Sequence, residues 1–589
     1  MENTYIIFDE GFEKQAEFIG TELSIEKISY QAHENERGFH EWLTREFKNK
    51  DIRRILIPLS LPSKEENTEG LLLGLHIRLN YELPIEKRSI PIVFITGLSI
   101  ENILSKSGFD KDNNPQDLFF SEGIYISSSD TDEIKQKLEI AMPVKDYDLF
   151  LRKLNVQRKD EFGGHDIANA WGCYKLAQVA ENKDDISKPN RIKDVIFQQD
   201  FVAKHLKQLY AKFLICKNES FTDELRLQKK PLQCQGKQIL FIDDKADEGW
   251  GILMQYIFNT AGAGFTFVNP SPYKTKEKDR FVDFNGFMTE CKSHIGKKWD
   301  LIIIDLRLNP ETEDIDNGSM SPEDFSGYKL IDSFLNENGG YQIMISTASN
   351  KIWNVDAALK RGAKGYYIKE SPDFNYPLSE TKNQFKIFRK EAEMCFENAY
   401  LQDIFSSIET IKRNLKNSAF AESIKKQLSL AFYLISKAET KEQFAFAYVA
   451  LYQIIEIITE ELITKEQVQA NPSINKWKLP NGTYIHEYKW DSTVRSYQDM
   501  GEALSGKEPL PQWKKMAGLI MQKWAMPNGD RFVRNLSFMI EKRNGFIHND
   551  SSILDKRDNN TGKYLNHDIY DKTGFKSLFD SIKSICNYL

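Results

Sequence analysis

Four short apolar runs between residues 236 and 370 each stop at a polar residue of a different chemical kind. They are QILFIDD, ending on Asp243 and Asp244, WDLIIIDLRL with Asp305, QIMISTAS with Thr347, and GYYIKES with Lys369. Three carboxylates gathered in one place suit a hard divalent cation, and Mg²⁺ prefers such oxygen ligands while keeping several waters. Asp243, Asp244 and Asp305 are therefore candidate metal ligands. With the cation offsetting the charge of an incoming phosphoryl group, Asp305 can attack phosphorus as a nucleophile. The Thr347 hydroxyl and the Lys369 ammonium would hold the remaining phosphoryl oxygens.

Such convergence needs a parallel sheet. Buried parallel strands read as continuous Val/Ile/Leu runs, and their ligands sit at the carboxyl ends, so the five polar residues should meet at one edge. On these residues the segment resembles a two-component receiver domain. Gly327 in DFSGYKLI matches that family's glycine after the phosphoacceptor loop, and Tyr366 falls on its switch aromatic, three residues before the lysine. The resemblance implies Asp305 as phosphoacceptor, Thr347, Lys369 and Tyr366 as phosphoryl-binding and switch residues, and Mg²⁺ as cofactor. The loop 309–325 departs from the family by being longer and more acidic.

The first 130 residues repeat the scaffold without the chemistry. TYIIFDE parallels QILFIDD, RILIPLSL parallels LIIIDLRL, TEGLLLGLHIRL parallels FSGYKLIDSFL, PIVFITG parallels QIMISTA and GIYIS parallels YYIK. Asp9, Glu10 and Thr96 persist, whereas Pro58 stands for Asp305 and Ser127 for Lys369. Without a nucleophilic carboxylate no acyl phosphate can form, so a pseudo-receiver is expected. Between the two lies a helical stretch containing EFGGHDIANAWGCYKLAQVAE. His165, Asp166 and Asn169 there resemble the phosphoacceptor box of histidine-kinase dimerisation helices, which makes His165 a candidate relay. The chain has no P-loop or glycine-rich phosphate cradle, so it would accept phosphate and not take it from a nucleotide.

After Phe385 the pattern turns to long helical periods. Phe444, Ala447, Tyr448, Leu451, Ile454, Ile455 and Ile458 trace one apolar stripe, as a bundle helix requires. A polar stretch, 471–511, interrupts the helices, and GDRFVRNLSFMIEKRNGFIHND follows. Its R-N-x-x-x-H string, Arg543, Asn544 and His548, resembles the motif of the HEPN family, helical domains that include metal-independent endoribonucleases. Histidine can shuttle the proton of a ribose 2′-hydroxyl, and arginine offers a fixed fork of donors to the phosphate. On a continuous helix Arg543 lies about 140° from His548, so a break at Asn544-Gly545 or the long Arg side chain must close the gap. The resemblance also implies a homodimer, since one chain supplies one motif, and broad apolar stripes point the same way.

Composition sets the outer limits. A chain of 589 residues with 41% apolar and 12% aromatic content is not disordered and should hold roughly three to four domains. Six scattered cysteines with no CxxC pair fit a reducing compartment and argue against a disulfide framework or a zinc site. The start, MENTYIIFDEGF, lacks a signal-peptide pattern, and no apolar run reaches a membrane span; a cytoplasmic location with no membrane partner is expected. Net charge is −7, yet residues 396–589 carry 26 Lys and Arg against 23 Asp and Glu, a balance of +3. RNA, if bound, should be met there.

These readings combine into a multidomain α/β plus all-α chain. A degenerate pseudo-receiver (1–145), a helical connector (146–235) and a receiver (236–395) precede a HEPN-like helical bundle (396–589), the two α/β domains being flavodoxin-like doubly wound parallel sheets. The expected function is a phosphorylation-gated signalling effector that cleaves RNA, in bacterial stress or anti-phage defence. Its partners would be a phosphodonor kinase or phosphotransfer protein, RNA and a second copy of the chain. The alternative is a non-enzymatic response regulator whose helical domain binds a protein or RNA.

Overall fold

A computed structural model describes residues 2–31, 33, 35–61, 69–99, 116–156, 164–181, 191–217, 232, 234–259, 262–275, 280–309, 312–313, 324–348, 352–372, 376–416, 418–547 and 571–589. The chain forms two compact units, Met1–Glu337 with Gln342–Asn398, and Asn338–Tyr341 with Ala399–Leu589.

The first unit holds two five-stranded parallel sheets. One comprises β1 (Thr4–Phe8), β2 (Glu26–Ser29), β3 (Arg54–Pro58), β4 (Ile92–Ile95) and β5 (Ile124–Ser127), in the order β2-β1-β3-β4-β5. The helices α1 (Glu13–Leu23), α2 (Glu36–Lys48), α3 (Glu69–Arg78) and α4 (Thr131–Ile140) alternate with its strands. The other comprises β6 (Gln238–Ile242), β7 (Gly264–Phe267), β8 (Leu301–Ile304), β9 (Ile343–Thr347) and β10 (Gly365–Ile368), in the order β7-β6-β8-β9-β10. Read from the same end, the two orders are one topology, the flavodoxin-like 2-1-3-4-5. Between the sheets run α5 (Tyr147–Lys153), α6 (Gly164–Ala180), α7 (Ile192–Phe197), α8 (Asp200–Leu206) and α9 (Leu209–Lys217). With the second sheet go α10 (Trp250–Asn259), α11 (Phe284–Lys292), α12 (Ser326–Glu337), α13 (Ile352–Arg361) and α14 (Leu378–Asn398). One apolar core runs from Ile7 and Ile55 through Trp171 of α6 to Phe241 and Phe388. Every residue of α6 from Ile167 onward is buried, which explains an α6 sequence apolar on all sides.

Two glycines expose how closely the scaffolds match. A Cβ on Gly70 would lie 2.2 Å from the Pro58 carbonyl oxygen, and one on Gly327 would lie 2.3 Å from that of Asp305. Their N–H groups donate to the next carbonyls, Leu59 and Leu306, at 3.1 and 3.0 Å. Pro58 is thus the spatial counterpart of Asp305. Strand register corrects the remaining parallels. Tyr5 faces Ile55 where Leu240 faces Ile302, so Asp9 lies at the level of Asp244 and Phe8 at that of Asp243. Ser127 faces Ile95 where Tyr367 faces Ser346, so Ser127 matches Tyr367 and not Lys369. The first sheet has therefore lost a metal-binding position as well as the nucleophile.

The second unit is not all-helical. Helices α15 (Leu401–Asn414), α16 (Ala419–Ser436) and α17 (Lys441–Leu462) lead into the antiparallel strands β11 (Thr464–Val468), β12 (Asn471–Lys478), β13 (His486–Asp491), β14 (Ser496–Ala503) and β15 (Ser505–Gly506). The polar stretch reads as a loop by composition, but aromatic residues anchor it as sheet. Trp477, Tyr488 and Tyr497 are buried, Trp490 packs on Tyr497 with ring centroids 5.3 Å apart, and Gly482 supplies a turn at φ +83°. Helices α18 (Gln512–Ala517), α19 (Gly529–Ile547) and α20 (Lys572–Cys586) complete the unit.

Of the α17 stripe, Ala447, Tyr448, Leu451, Ile454, Ile455 and Ile458 are buried and Phe444 is half-buried, all within the unit's own core. That stripe accordingly gives no argument for a dimer. Arg543 and Asn544 lie on α19, which is helical without a break at Asn544-Gly545 as far as Ile547; His548 lies outside the described residues. Among the described residues no helix is long and apolar enough to cross a membrane.

A methyl group at either matched glycine would meet backbone on a β-strand end, where nothing flexible can yield. Gly70→Ala and Gly327→Ala should each lower stability by about 1–3 kcal/mol, as overpacking of a tight site does. Chemical denaturation of the two variants checks this, and an effect at only one position would contradict the shared geometry.

Candidate phosphoacceptor site

The second sheet brings its strand-end residues together. Asp243 and Asp244 follow β6, Asp305 follows β8, Thr347 closes β9 and Lys369 follows β10, and all five are buried. Carboxylate oxygens of Asp243, Asp244 and Asp305 lie within 4.8 Å of one another. The Lys369 ammonium donates to Asp305 Oδ2 at 2.6 Å and lies 2.8 Å from Asp243 Oδ2. Backbone ties fix the strand ends: the Asp305 N–H donates to the Ile242 carbonyl at 2.8 Å, and that of Lys369 to the Thr347 carbonyl at 2.7 Å. Tyr366 is half-buried on β10, its N–H held by Glu391 at 2.8 Å, while its neighbour Tyr367 enters the core against Trp250 and Phe388. The loop after Asp305 is anchored where Glu313 accepts from the Ser326 N–H at 3.0 Å; most of 309–325 lies outside the described residues.

Electrostatics follow from three acids sharing one primary cation. Burial pushes the Asp305 carboxyl up to about 6; Lys369 opposes the shift, and the other two aspartates add to it. Burial likewise raises Asp244 to about 7, against the pull of Lys245. Burial works against the Lys369 ammonium, but Asp243 and Asp305 outweigh it and hold it charged. Asp243 Oδ1 accepts from the Lys245 N–H and Asp305 Oδ1 from that of Arg307, whereas Asp244 Oδ1 is buried with no hydrogen-bond partner among the described residues. A buried, unpartnered carboxylate oxygen beside two more carboxylates is the donor set a hard cation such as Mg²⁺ would satisfy.

Further residues belong to the site without standing out in the sequence. Lys245 pairs with Glu248 at 3.2 Å and with Asp166 of α6 at 3.0 Å. Lys274 reaches Glu248 at 2.9 Å, Asp247 at 3.1 Å and the Asp244 carbonyl at 2.5 Å. Asn169 Oδ1 accepts from Lys369 at 2.8 Å, and its amide nitrogen lies 3.3 Å from His165 Nε2. Asn169 lies in the H-D-x-x-N string, but its reach to Lys369 depends on how α6 packs against β10; Lys245 directly follows QILFIDD and carries no pattern of its own. Lys274 comes from an irregular loop with no pattern to read. His165 is half-buried, and burial lowers its proton affinity.

Residues 3–125 match the family described as an inactive receiver domain, and the N-terminal sheet is such a domain, in keeping with Pro58 and Phe8 at its site. No curated protein matches the chain. Among solved structures, a response regulator from Burkholderia pseudomallei with a phosphorylated aspartic acid, calcium ion and citrate is 16% identical, covering 34% of this chain and 89% of its own, at a TM-score of 0.16. A D-lactate dehydrogenase from Sporolactobacillus is 12% identical over 71% of this chain and 98% of its own, with a TM-score of 0.17. The D-lactate dehydrogenase of Escherichia coli is 13% identical over 69% and 96%, with a TM-score of 0.15. Likenesses this distant say nothing about the site.

Removing the shared ammonium leaves buried carboxylates uncompensated. Lys369→Met in chelator should cost about 3–5 kcal/mol of stability at pH 8. A carboxyl raised in the folded state, as Asp305 is from 3.8 to about 6, stabilises below its unfolded value and loses that contribution as pH rises through the folded one. The deficit of the variant should therefore shrink at pH 5, where the carboxyls take up protons. Denaturation at the two pH values measures it, and an equal deficit at both would contradict the assignment.

Proposed function

We propose that the chain is a receiver-type signalling protein that accepts a phosphoryl group on Asp305 and passes that state to residues 396–589. The observation that carries the reading is the buried trio Asp243, Asp244 and Asp305 with Lys369 at the carboxyl edge of a 2-1-3-4-5 sheet. Mg²⁺ held by the three aspartates would neutralise charge on the transferred group. An Asp305 oxygen forms the bond to phosphorus as the donor's bond breaks and its leaving group departs. Thr347 and Lys369 then hold phosphoryl oxygens, and Tyr366 responds as the switch. A kinase or phosphotransfer protein is the implied donor, and His165 is the candidate relay residue of this chain. We keep the division into 1–145, 146–235, 236–395 and 396–589 as the functional one.

The output reading rests on residue chemistry. Arg543, Asn544 and His548 form a HEPN-like string in the positively balanced part of the chain, suited to RNA cleavage by the 2′-hydroxyl in a homodimer, in stress or anti-phage defence. Leu430, Tyr433 and Phe446 remain exposed on α16 and α17, as a second copy would require. A non-enzymatic regulator binding protein or RNA is the competing output.

With Mg²⁺ and acetyl phosphate, the wild-type chain should gain one phosphoryl group by intact mass and Asp305→Asn none. Label persisting in Asp305→Asn would refute the acceptor. Single-stranded RNA should be cut in excess chelator, leaving a cyclic phosphate, with His548→Ala slower by on the order of a hundredfold or more and DNA untouched. Chelator-sensitive cutting, or a fully active His548→Ala, would transfer the output to the binding reading.

A further inference from the structure

The acceptor pocket is closed, and a helix from outside the receiver closes it. Asp243 and Lys369 are 0% exposed, and Asp244, Asp305 and Thr347 1%, although a phosphoacceptor must admit its donor. Helix α6 meets the pocket at every third residue. Asp166 pairs with Lys245 at 3.0 Å, and Asn169 accepts from Lys369 at 2.8 Å. A Cβ on Gly172 would stand 3.1 Å from the Glu370 carbonyl oxygen and 3.2 Å from Lys369 Cβ. Lys175 donates to the Tyr376 carbonyl at 2.7 Å and lies 3.7 Å from Glu370. Residues three apart are neighbours on a helix, so this series forms a winding seam: two polar latches at Asp166 and Asn169, a close glycine contact at Gly172, and a second ion pair at Lys175. Asn169 competes directly with a phosphoryl group, because it occupies a donor position of Lys369.

We propose that α6 is a built-in cap on the Asp305 pocket, latched by Asp166 and Asn169, which must withdraw before a phosphodonor protein can reach the acceptor. Phosphorylation and withdrawal of α6 then favour one another, since phosphoryl oxygens and the Asn169 carbonyl oxygen seek the same ammonium. This rests on Asp305 being the acceptor, but the cap has a test that needs no phosphate.

The six native cysteines are all buried, so Asp305→Cys introduces one thiol whose reaction with a small maleimide reports access to the pocket. With α6 unaltered the new thiol should react slowly. Cys173 lies on α6 itself, so the test is run in a Cys173→Ser background; there, adding Gly172→Leu, which forces α6 off Glu370, should speed it at least about tenfold while the other native cysteines stay protected. If Gly172→Leu also exposes native cysteines, the pair Asp166→Ala and Asn169→Ala, which removes the latches without steric force, decides in its place. A thiol reacting at the rate of a free cysteine with α6 intact overturns the cap, as does a slow rate unchanged by folded variants of either kind. Acetyl phosphate with Mg²⁺ then separates the two ideas in the same α6 variants with Asp305 retained. Failure to phosphorylate an opened chain sinks the acceptor and leaves the cap standing.

Discussion

The fold's main constraint is one buried ammonium serving several acceptors. Lys369 faces Asp243 and Asp305 within 2.8 Å and an amide oxygen of α6 at the same distance. An ion pair taken out of water is favourable only with good geometry and its remaining groups satisfied, and here the third partner comes from a different part of the chain. Even so, the local balance stays negative: three carboxylates confront Lys369, with Lys245 committed partly to Glu248 and Asp166. Burial raises the proton affinity of Asp244 and Asp305, and the neighbouring aspartates add to it; a divalent cation is the other way to meet the negative balance.

The two sheets of the first unit show which parts of a scaffold are tied to chemistry and which to packing. Gly70 and Gly327 are held by the same backbone clash, 2.2 and 2.3 Å for an added Cβ, and that clash exists whether or not a nucleophile precedes it. Strand order and the helix-entry glycine are shared by both sheets. Phe8 and Pro58, by contrast, stand where a carboxylate is needed only if metal and phosphoryl are bound. Pro58 has no N–H to donate, whereas in the second sheet the Asp305 N–H bonds to Ile242.

Much of this was legible in the sequence because strand-end residues are read from local runs. Asp243, Asp244, Asp305, Thr347 and Lys369 each end an apolar run, and a parallel sheet must bring such ends to one edge. Register between strands is not local, which is why TYIIFDE and QILFIDD align by letter with an offset of one in space, and GIYIS with an offset of two. The ribbons at 464–506 were missed for a related reason: their polar residues outnumber the few buried aromatics, Trp477, Tyr488 and Tyr497, that make them sheet. The third class of miss is long-range. Asn169 and Lys369 are 200 residues apart, and nothing in either neighbourhood announces the other.

The N-terminal domain has kept its core while losing its chemistry, and the contacts suggest a mechanical role. Arg37 of α2 pairs with Asp200 of α8 at 3.0 Å, Glu41 with Lys207 at 2.9 Å, and Glu36 accepts from the Leu209 N–H at 2.6 Å. Helix α8 in turn packs on α6, and α6 carries Asn169 to Lys369. Close-packed interiors transmit strain, and the inactive receiver, the connector and the second sheet share one apolar core, so a shift of the N-terminal domain reaches α6. A domain that only supports α6 needs an intact sheet and charged faces on α2, and it needs no nucleophile. The positions that differ between the two sheets, Phe8 and Pro58 among them, are the ones such a role leaves free to change.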